Sequence, residues 1–287
     1  MPTLYVVATP IGNLGDMTPR AIETLKSVSL IAAEDTRVTQ KLLSAFDIHT
    51  PLTSCHEHNE RGKAAQIVRR MLEEDIDVAV TTDAGTPCIS DPGSALVRAA
   101  VESGIETVAV PGPTAMAAAL SVSGYEISEF TFFGFLPRQK GELKEKLLDM
   151  ARRSRLAVVH ESPHRVRELL ATVGETLPHT MVSASCDLTK KYEKTLRGPV
   201  AQVLEAVEQN PKAEKGEYCL VFAWAGEDIP APEAPKSTLS LEARLFDGLA
   251  RGMSLRESME EVTAQGERKN AVYAASLRVK QLMAAAE

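Results

Sequence analysis

Short apolar segments rich in β-branched residues alternate with longer amphipathic segments through most of the chain. Apolar runs of this length are typical of buried strands, and the segments between them are long enough to form helices. The pattern predicts eight strands, at 4–8, 30–33, 78–81, 108–110, 132–135, 156–159, 181–185 and 218–223. Because strands that alternate with helices are typical of βαβ units, we expect an α/β protein with a largely parallel sheet.

Short polar and proline signals mark where helices begin. Thr18 followed by Pro19 predicts a helix over 19–26, because a threonine side chain caps free amide groups and proline fits the first helical position. Asp91 and Pro92 repeat this pair, so a second helix is expected to begin there. The alanine-rich segment 114–120 predicts a small-residue helix that lies against another backbone.

Two changes in composition divide the chain into domains. The sequence Pro-Gly-Pro at 111–113 separates the first four predicted strands from the last four. The prolines between 227 and 238 favour an extended, semi-rigid linker. Beyond them, leucines and valines at helical spacing predict three short amphipathic helices. We therefore expect an N-terminal α/β domain, a C-terminal α/β domain, a linker and a helical tail, over 1–112, 113–226, 227–238 and 239–287.

Composition excludes several classes of protein. Of the 287 residues, 44% are hydrophobic and 25% are charged, which is typical of globular proteins and excludes disordered and fibrous chains. No apolar stretch approaches the roughly 18 residues of a membrane span. The amino terminus also lacks the pattern of a secretory signal, so we expect a cytoplasmic protein. The net charge of −7 argues against a surface uniformly adapted to nucleic acid.

Three loops rich in proline, glycine and other small residues follow predicted strands, at 9–14, 82–93 and 111–114. Ligands of open α/β sheets bind beyond the carboxyl ends of the strands, and small residues let the backbone approach a ligand closely. The GxGxxG and GxxxxGK[ST] motifs of dinucleotide and P-loop sites are absent. The loops therefore predict a nucleotide-like ligand bound in another way, although each loop alone is also consistent with an ordinary turn.

Glu34, Asp35 and Arg37 follow the second predicted strand. Two carboxylates and a guanidinium at a strand end are candidates for holding a substrate or a ribose. The alternative is structural: a carboxylate caps the next helix and Arg37 pairs with it. Both interpretations remain open at this point.

Three further groups of side chains bear on function. His56 and His58 lie two residues apart and would face opposite sides of an extended segment, so we expect no metal site. The four cysteines are widely separated, which excludes a local CxxC pair. The segment 138–167 holds nine basic and four acidic residues, a net charge of +5. Two interpretations of this segment fit about equally well. It is either a patch that binds RNA phosphates or the solvated face of a helix.

Six motifs follow one another along the chain: TPIGNL at 9–14, AEDTR at 33–37, DAGTP at 83–87, PGP at 111–113, ESPHR at 161–165 and KGE at 215–217. In this order they resemble the motifs of the ribosomal RNA small subunit methyltransferase I family, a branch of the tetrapyrrole methylase superfamily. The resemblance covers residues 4 to about 225, and KNAVY at 269–273 is similar to the family's carboxyl-terminal region.

The resemblance implies a two-domain, tetrapyrrole-methylase-like (class III) fold with S-adenosylmethionine bound in the cleft between the domains. It also implies a homodimer that methylates the ribose 2′-oxygen of a cytidine in 16S small-subunit rRNA, either free or in the assembled 30S subunit. No metal and no membrane partner are implied. Carried over position by position, the residues that bind the cofactor are Pro10, Asp83, Ala84, Gly85, Thr86, Thr114, Ala115, Glu161 and Leu188.

Methyl transfer to a ribose hydroxyl is an in-line displacement that depends mainly on alignment. The hydroxyl benefits from a base and from a cation that stabilises the developing alkoxide. The candidates are Glu34 or Asp35 as the base, and Arg37 or Lys190 as the cation. The chain departs from the family pattern at 186–187, where Cys-Asp stands in place of Arg-Glu, so one cationic side chain is missing and one carboxylate is shorter.

Two alternatives remain. The first is a tetrapyrrole C-methyltransferase of the same superfamily, against which stand the basic segment 138–167 and the extra helices after residue 237. These helices resemble a helix-turn-helix, and their mixed charge leaves rRNA contact and dimer packing open. The second is a non-catalytic RNA-binding assembly factor, against which stand the intact small-residue loops.

Overall fold

The computed structural model of the protein describes residues 1–211, 213–226 and 239–284. The chain forms two compact units, Met1–Ile229 and Pro230–Glu287. The larger unit contains two five-stranded sheets packed against helices, and the smaller unit contains three helices. The predicted linker at 227–238 lies outside the described residues.

The first sheet is entirely parallel, with strand order β3-β2-β4-β1-β5. Its strands are β1 (Thr3–Val7), β2 (Leu30–Ala33), β3 (Leu52–Ser54), β4 (Val78–Thr81) and β5 (Glu106–Val110). The helices between them are α1 (Pro19–Ser27), α2 (Thr36–Ala45), α3 (Glu60–Glu74) and α4 (Ser94–Glu102). Every residue of β2 and β4 is buried, because helices cover both faces of the sheet. The predicted α/β class is therefore confirmed.

The second sheet has the order β6-β7-β10-β8-β9, and only its β6–β7 pair is parallel. Its strands are β6 (Thr131–Phe135), β7 (Leu156–Glu161), β8 (Met181–Cys186), β9 (Lys194–Pro199) and β10 (Tyr218–Ala223). The expectation of a largely parallel sheet is thus wrong for this half. The reason is β9, a half-exposed edge strand that the apolar pattern did not predict. It follows β8 after a short loop and pairs with it in the antiparallel direction.

Helices cover this second sheet unequally. One face packs against α6 (Lys140–Arg153), α7 (Val166–Thr176) and α8 (Val200–Glu208), and it holds a large apolar core around Phe222. The other face packs against the short helix α5 (Ala115–Ser121), with Ala119 and Leu120 against Val158 and Val221. The alanines let α5 lie close to the strands, as the small-residue segment predicted.

Helix α1 begins as predicted, with Pro19 as its first residue. The Thr18 side chain caps the helix by accepting a hydrogen bond from the Ala21 amide at 3.1 Å. The parallel prediction for Asp91 and Pro92 is wrong, because α4 begins at Ser94. Gly93 occupies the capping position and has no side chain, so the cap comes from elsewhere in the chain.

Glu60, the first residue of α3, caps α4 across the structure. Its Oε1 accepts hydrogen bonds from the Gly93 amide at 2.8 Å and from the Ala95 amide at 2.7 Å. The carboxylate satisfies two free amide groups and lies at the positive end of the helix dipole. Glu60 therefore anchors the loop that precedes α4, and Asp91 does not have to act as a cap.

We expect Glu60→Ala to lower the free energy of unfolding by about 1–2 kcal/mol, the cost of losing a helix cap. Urea titration measures this change. Glu57→Ala is the matched control, because Glu57 is exposed and lies in the same segment, so its effect is expected to stay within about 0.5 kcal/mol. Equal stability of the two variants would show that the cap contributes nothing.

The smaller unit contains the three predicted helices, α9 (Leu241–Ala250), α10 (Leu255–Ala264) and α11 (Lys269–Ala284). Ser254 and Glu257 form a reciprocal capping box at the start of α10. Leu245, Val262 and Val272 belong to the core that the three helices share. None of the helices in the described part of the chain is long and apolar enough to cross a membrane.

Candidate functional site

A cavity of about 430 Å³ opens where the strand-end loops of the two sheets meet. The first sheet contributes the loops after β1 and β4, and the second contributes α5 and the ends of β6, β7, β8 and β10. A recess of about 50 Å³ continues the cavity beside Gly85, Thr86 and Thr114. This volume is in the range of small-molecule and cofactor sites.

The structure brings most of the predicted cofactor-binding residues together. Ala84, Ala115, Glu161 and Leu188 line the cavity, and Gly85, Thr86 and Thr114 line the recess. Pro10 and Asp83 lie beside these residues in the chain but do not line either space.

Backbone hydrogen bonds hold the first two loops together. The Thr9 amide donates to the Gly85 carbonyl at 2.8 Å, and the Gly85 amide donates to the Thr9 carbonyl at 3.1 Å. Gly85 has a φ of +91°, which a residue with a side chain would adopt only with strain. The glycine therefore permits the bridge that shapes this wall of the cavity.

Glu161 is the buried carboxylate of the site, because its side chain has no exposed surface. Its Oε1 accepts a hydrogen bond from the Ser162 amide at 2.8 Å and lies 3.5 Å from the Arg165 guanidinium. Its Oε2 is buried and has no hydrogen-bond partner among the described residues. Burial raises the pKa of Glu161. An unpaired acceptor on a residue that lines the cavity indicates a ligand that donates a hydrogen bond there.

Glu34, Asp35 and Arg37 do not line the cavity. Glu34 Oε2 accepts hydrogen bonds from the Thr82 hydroxyl at 2.6 Å and from the Asp83 amide at 3.2 Å, so Glu34 holds the loop after β4 in place. Asp35 caps α2 and pairs with the Arg37 guanidinium at 2.6 Å, which holds the pKa of Asp35 well below its usual range. These contacts match the structural interpretation of the three residues.

Lys190 lines the cavity, as a catalytic role requires. Its Nζ lies 2.9 Å from Glu217 and 3.1 Å from Asp187. Burial by itself would lower the pKa of Lys190, but its hydrogen bonds to these two carboxylates raise it, so the ammonium remains charged. Its stem crosses Gly12, where an added Cβ would lie only 2.5 Å from the Lys190 Cγ. The 3.1 Å distance shows that Asp187 pairs with Lys190, even though its side chain is shorter than the glutamate of the family pattern.

Asp91 is the residue of this site that the sequence misassigned. It is half-buried and lines both the cavity and its recess. Its carboxylate has no hydrogen-bond or ion-pair partner among the residues that the structure describes. Burial, together with the nearby charges of Glu34 and Asp83, raises the pKa of Asp91 to about 6. The available signal was its place in a strand-end loop, but the following proline favoured a helix cap.

The basic segment 138–167 is largely compensated by acids. Lys140 and Lys144 both pair with Glu175, at 3.0 and 2.9 Å, and Arg153 pairs with Asp149 at 2.7 Å. These contacts favour the interpretation of much of the segment as a charged helix surface. The exposed Arg138, whose charge acts on Glu161, has no hydrogen-bond or ion-pair partner in the described part of the chain.

Within residues 1–211, 213–226 and 239–284, no group of three histidine, cysteine, aspartate or glutamate side chains is placed to hold a metal ion. The rings of His56 and His58 lie 6.0 Å apart, edge to face.

Comparison with known proteins identifies the chain's relatives. The family model described as Tetrapyrrole (Corrin/Porphyrin) Methylases matches residues 3–204. A protein of Synechocystis sp. named ribosomal RNA small subunit methyltransferase I is 41% identical over 263 residues, covering 91% of this chain and 93% of that protein. The protein of the same name from Bacillus subtilis is 39% identical, covering 91% and 89%.

A solved structure supports the fold independently. Uroporphyrin-III-C-methyltransferase from Thermus thermophilus superposes with a TM-score of 0.51 at 19% sequence identity, covering 80% of this chain and 99% of that one. Identity this low is evidence of a shared fold alone. The resemblance read from the six sequence motifs is confirmed by the relatives at about 40% identity. The chain therefore belongs to the ribosomal RNA small subunit methyltransferase I family, within the tetrapyrrole methylases.

Proposed function

We propose that this protein transfers a methyl group from S-adenosylmethionine to the ribose 2′-oxygen of a cytidine in small-subunit rRNA. The observation that carries this proposal is the cavity between the strand-end loops, in a chain 41% identical over 91% of its length to a protein named for methylation of small-subunit rRNA. An rRNA substrate also places the reaction in the cytoplasm.

The residues around the cavity fit the methyl donor. The unpaired Oε2 of Glu161 offers an acceptor for hydroxyl or amine groups, and the small residues Ala84, Gly85 and Ala115 leave backbone groups within reach of a ligand. Pro10, Asp83, Thr86, Thr114 and Leu188 complete the proposed binding set. When bound, S-adenosylmethionine supplies an electrophilic methyl group on a positively charged sulfur.

The chain's own residues have two tasks at the reacting oxygen. For the proton acceptor, the geometry favours Asp91 over Glu34 and Asp35, because Asp91 lines the cavity with a carboxylate that accepts no hydrogen bond from the described residues. Lys190 supplies positive charge near the developing alkoxide. Arg37 forms an ion pair with Asp35, so its proposed contribution is to order the loop after β2. Deprotonation at one side and charge stabilisation at the other make the hydroxyl a better nucleophile.

The proposal is tested by measuring transfer of labelled methyl from S-adenosylmethionine to three acceptors: free small-subunit rRNA, assembled 30S subunits and a porphyrinoid acid. Label on a ribose 2′-oxygen of either RNA form is the expected result, and the better form is the substrate. Label on the porphyrinoid alone would show that the proposed RNA substrate is wrong and that the methyltransferase activity is right. Absence of S-adenosylmethionine binding in a calorimetric titration would leave only the non-catalytic assembly factor.

Glu161→Leu is expected to raise the Kd for S-adenosylmethionine about 10- to 150-fold, because a hydrogen bond to a charged group contributes roughly 1.5–3 kcal/mol. Isothermal titration calorimetry measures the change. Glu161→Gln keeps the shape and one acceptor oxygen, so its Kd is expected to fall between those of the wild type and Leu. An unchanged Kd in both variants would remove Glu161 from the binding set.

We also propose that the protein acts as a homodimer of the 31.0 kDa chain and that its helical tail contributes either to RNA contact or to the dimer. Light scattering coupled to size-exclusion chromatography measures the mass. A mass of one chain at working concentration would contradict the dimer. The same measurement on protein ending at Lys236 separates the two roles, because a dimer-forming tail is needed for the larger mass and an RNA-binding tail is not.

A further inference from the structure

An exposed aromatic ring lies at the rim of the cavity. Phe135 is 63% exposed, although it ends the strand β6, and it is the most exposed of the seven phenylalanines. Isolated exposed apolar residues are common on protein surfaces. Phe135 differs from them because it is part of the wall of the proposed active site.

A β-bulge turns Phe135 toward the cavity. The register of β6 against β7 shifts between Phe132 and Gly134, and Gly134 has a φ of +63°. Phe132 packs in the core on the α5 face of the sheet, and Phe133 packs in the core on the opposite face. In a regular strand Phe135 would share the face of Phe133, since side chains alternate. The extra residue of the bulge puts Phe135 on the side of Phe132 and of the cavity.

Gly134 also lets the two sheets approach each other at this rim. A Cβ on Gly134 would lie 3.0 Å from the hydroxyl of Ser90, in the loop after β4 of the first sheet. Ser90 itself has a φ of +66°, and Cys88 has a φ of +72°. Unfavourable backbone conformations of this kind persist where the surrounding structure enforces them, and they concentrate at ligand-binding sites.

The surroundings of Phe135 suit a flat ring carried on a phosphate backbone. His160 lies beside it, with ring centroids 5.8 Å apart, and Ile89, 42% exposed, lines the cavity from the opposite loop. Three residues farther along, Arg138 is exposed and unpaired in the described part of the chain. It lies close enough to the site to be among the charges that oppose the burial-induced rise in the pKa of Glu161.

Resting on the proposed function, we propose that Phe135 stacks on the base of the target nucleotide and that Arg138 contacts an adjoining phosphate. Proteins that recognise unpaired bases stack them on aromatic rings, and enzymes that modify nucleotides often take the target out of its stack. Phe135 does not line the recess beside Gly85 and Thr86, where most of the proposed cofactor-binding loop lies. Its position at the solvent side of the cavity is where RNA arrives.

Two measurements together test whether Phe135 stacks on the target base: steady-state methylation of the preferred RNA substrate and calorimetric titration with S-adenosylmethionine. We expect Phe135→Ala to lower kcat/KM for RNA about 5- to 150-fold, the range for loss of one base–aromatic stack, with the Kd for S-adenosylmethionine changed less than twofold. Phe135→Trp is expected to restore most of the activity. Phe130→Ala is the matched control, because Phe130 is 41% exposed and does not line the cavity.

Arg138→Gln is expected to weaken RNA binding and to make log Kd less steep against log salt by about 0.7, the value for one phosphate of a single strand. Fluorescence anisotropy with labelled RNA measures this slope. If Phe135→Ala has a weaker Kd for S-adenosylmethionine and an unchanged kcat/KM for RNA, the proposed base stacking is wrong and Phe135 contacts the cofactor. Unchanged values of both in Phe135→Ala would also overturn the base stacking, while wild-type transfer to RNA would keep the proposed function. If wild-type protein transfers no methyl group to RNA, both proposals fail.

Discussion

Asp91→Asn is expected to lower kcat for RNA methylation about 100- to 10,000-fold, the range for losing a general base. Asparagine has nearly the shape of aspartate but cannot accept a proton. Asp91 lines the cavity without a hydrogen-bond partner among the described residues, so the substitution breaks no contact of the fold. Rapid-quench measurement of a single turnover at saturating S-adenosylmethionine reports the chemical step directly.

The pH dependence supplies a second readout. Because the pKa of Asp91 is raised to about 6, the wild-type rate is expected to fall as the pH drops through 6, where the base becomes protonated. The residual rate of Asp91→Asn is expected to lack this acidic limb. A wild-type profile that is flat between pH 5 and 8 would assign the proton to another acceptor.

Stability is expected to change in the opposite direction from activity. A carboxyl whose pKa is raised by folding destabilises the protein once it ionises, so its cost is present above the folded pKa of about 6 and vanishes below the unfolded value of 3.8. The free energy of unfolding of Asp91→Asn should therefore exceed that of the wild type at pH 7–8 by on the order of 1 kcal/mol, after screening of this half-exposed group. The two proteins should be equally stable at a pH below 3.8. Asp75→Asn makes the same chemical change at a site 74% exposed and should leave rate and stability unaltered. A slow variant that is also unstable would indicate a structural role for Asp91.

The sequence predicted β2 and β4 of the first sheet well because both strands are buried on both faces. The three residues of β3 are only partly buried, and this strand was not among the eight predicted ones. Continuous apolar runs such as Val78–Thr81 can be read without knowing the partner strand. The second sheet was less predictable, since β9 is half-exposed and draws its stability from pairing with β8. Whether a half-exposed segment forms an edge strand depends on its partner in the assembled sheet, so the local sequence pattern does not predict it.

The same distinction applies to the site. Family motifs placed Ala84, Ala115, Glu161 and Leu188, and the structure gathers these four around one cavity. The family motifs made no prediction for Asp91, and the local pattern of an aspartate before a proline predicted a helix start there. In the structure the distant Glu60 caps α4, and Asp91 lines the cavity. Similarly, the orientation of Phe135 depends on a bulge that is not visible in residue types.

Lys190→Met is expected to lower kcat about 100- to 1,000-fold, which is the cost of removing one preorganised group that stabilises a developing oxyanion. Methionine retains the apolar stem that crosses Gly12 but cannot stabilise negative charge. The Kd for S-adenosylmethionine is expected to change less than threefold, because the lost interaction forms mainly in the transition state. Lys191→Met is the matched control, since the neighbouring lysine is exposed and outside the cavity wall.

A second perturbation separates the charge of Lys190 from its position. Gly12→Ala leaves the lysine in the chain, but the added Cβ would lie 2.5 Å from Cγ and 2.7 Å from Cε, so the lysine side chain must move away. Gly12 also has a φ of +152°, so kcat is compared at a temperature where the folded fraction of each variant, measured by urea titration, is the same. We expect kcat to fall in Gly12→Ala as well, by less than in Lys190→Met, and the two substitutions combined to cost no more than Lys190→Met alone. Additive losses would contradict this, because they would mean that Gly12 acts on the cavity independently of Lys190. Non-additivity would show that Gly12 acts through the position of the Lys190 ammonium, which pairs with Glu217 and Asp187.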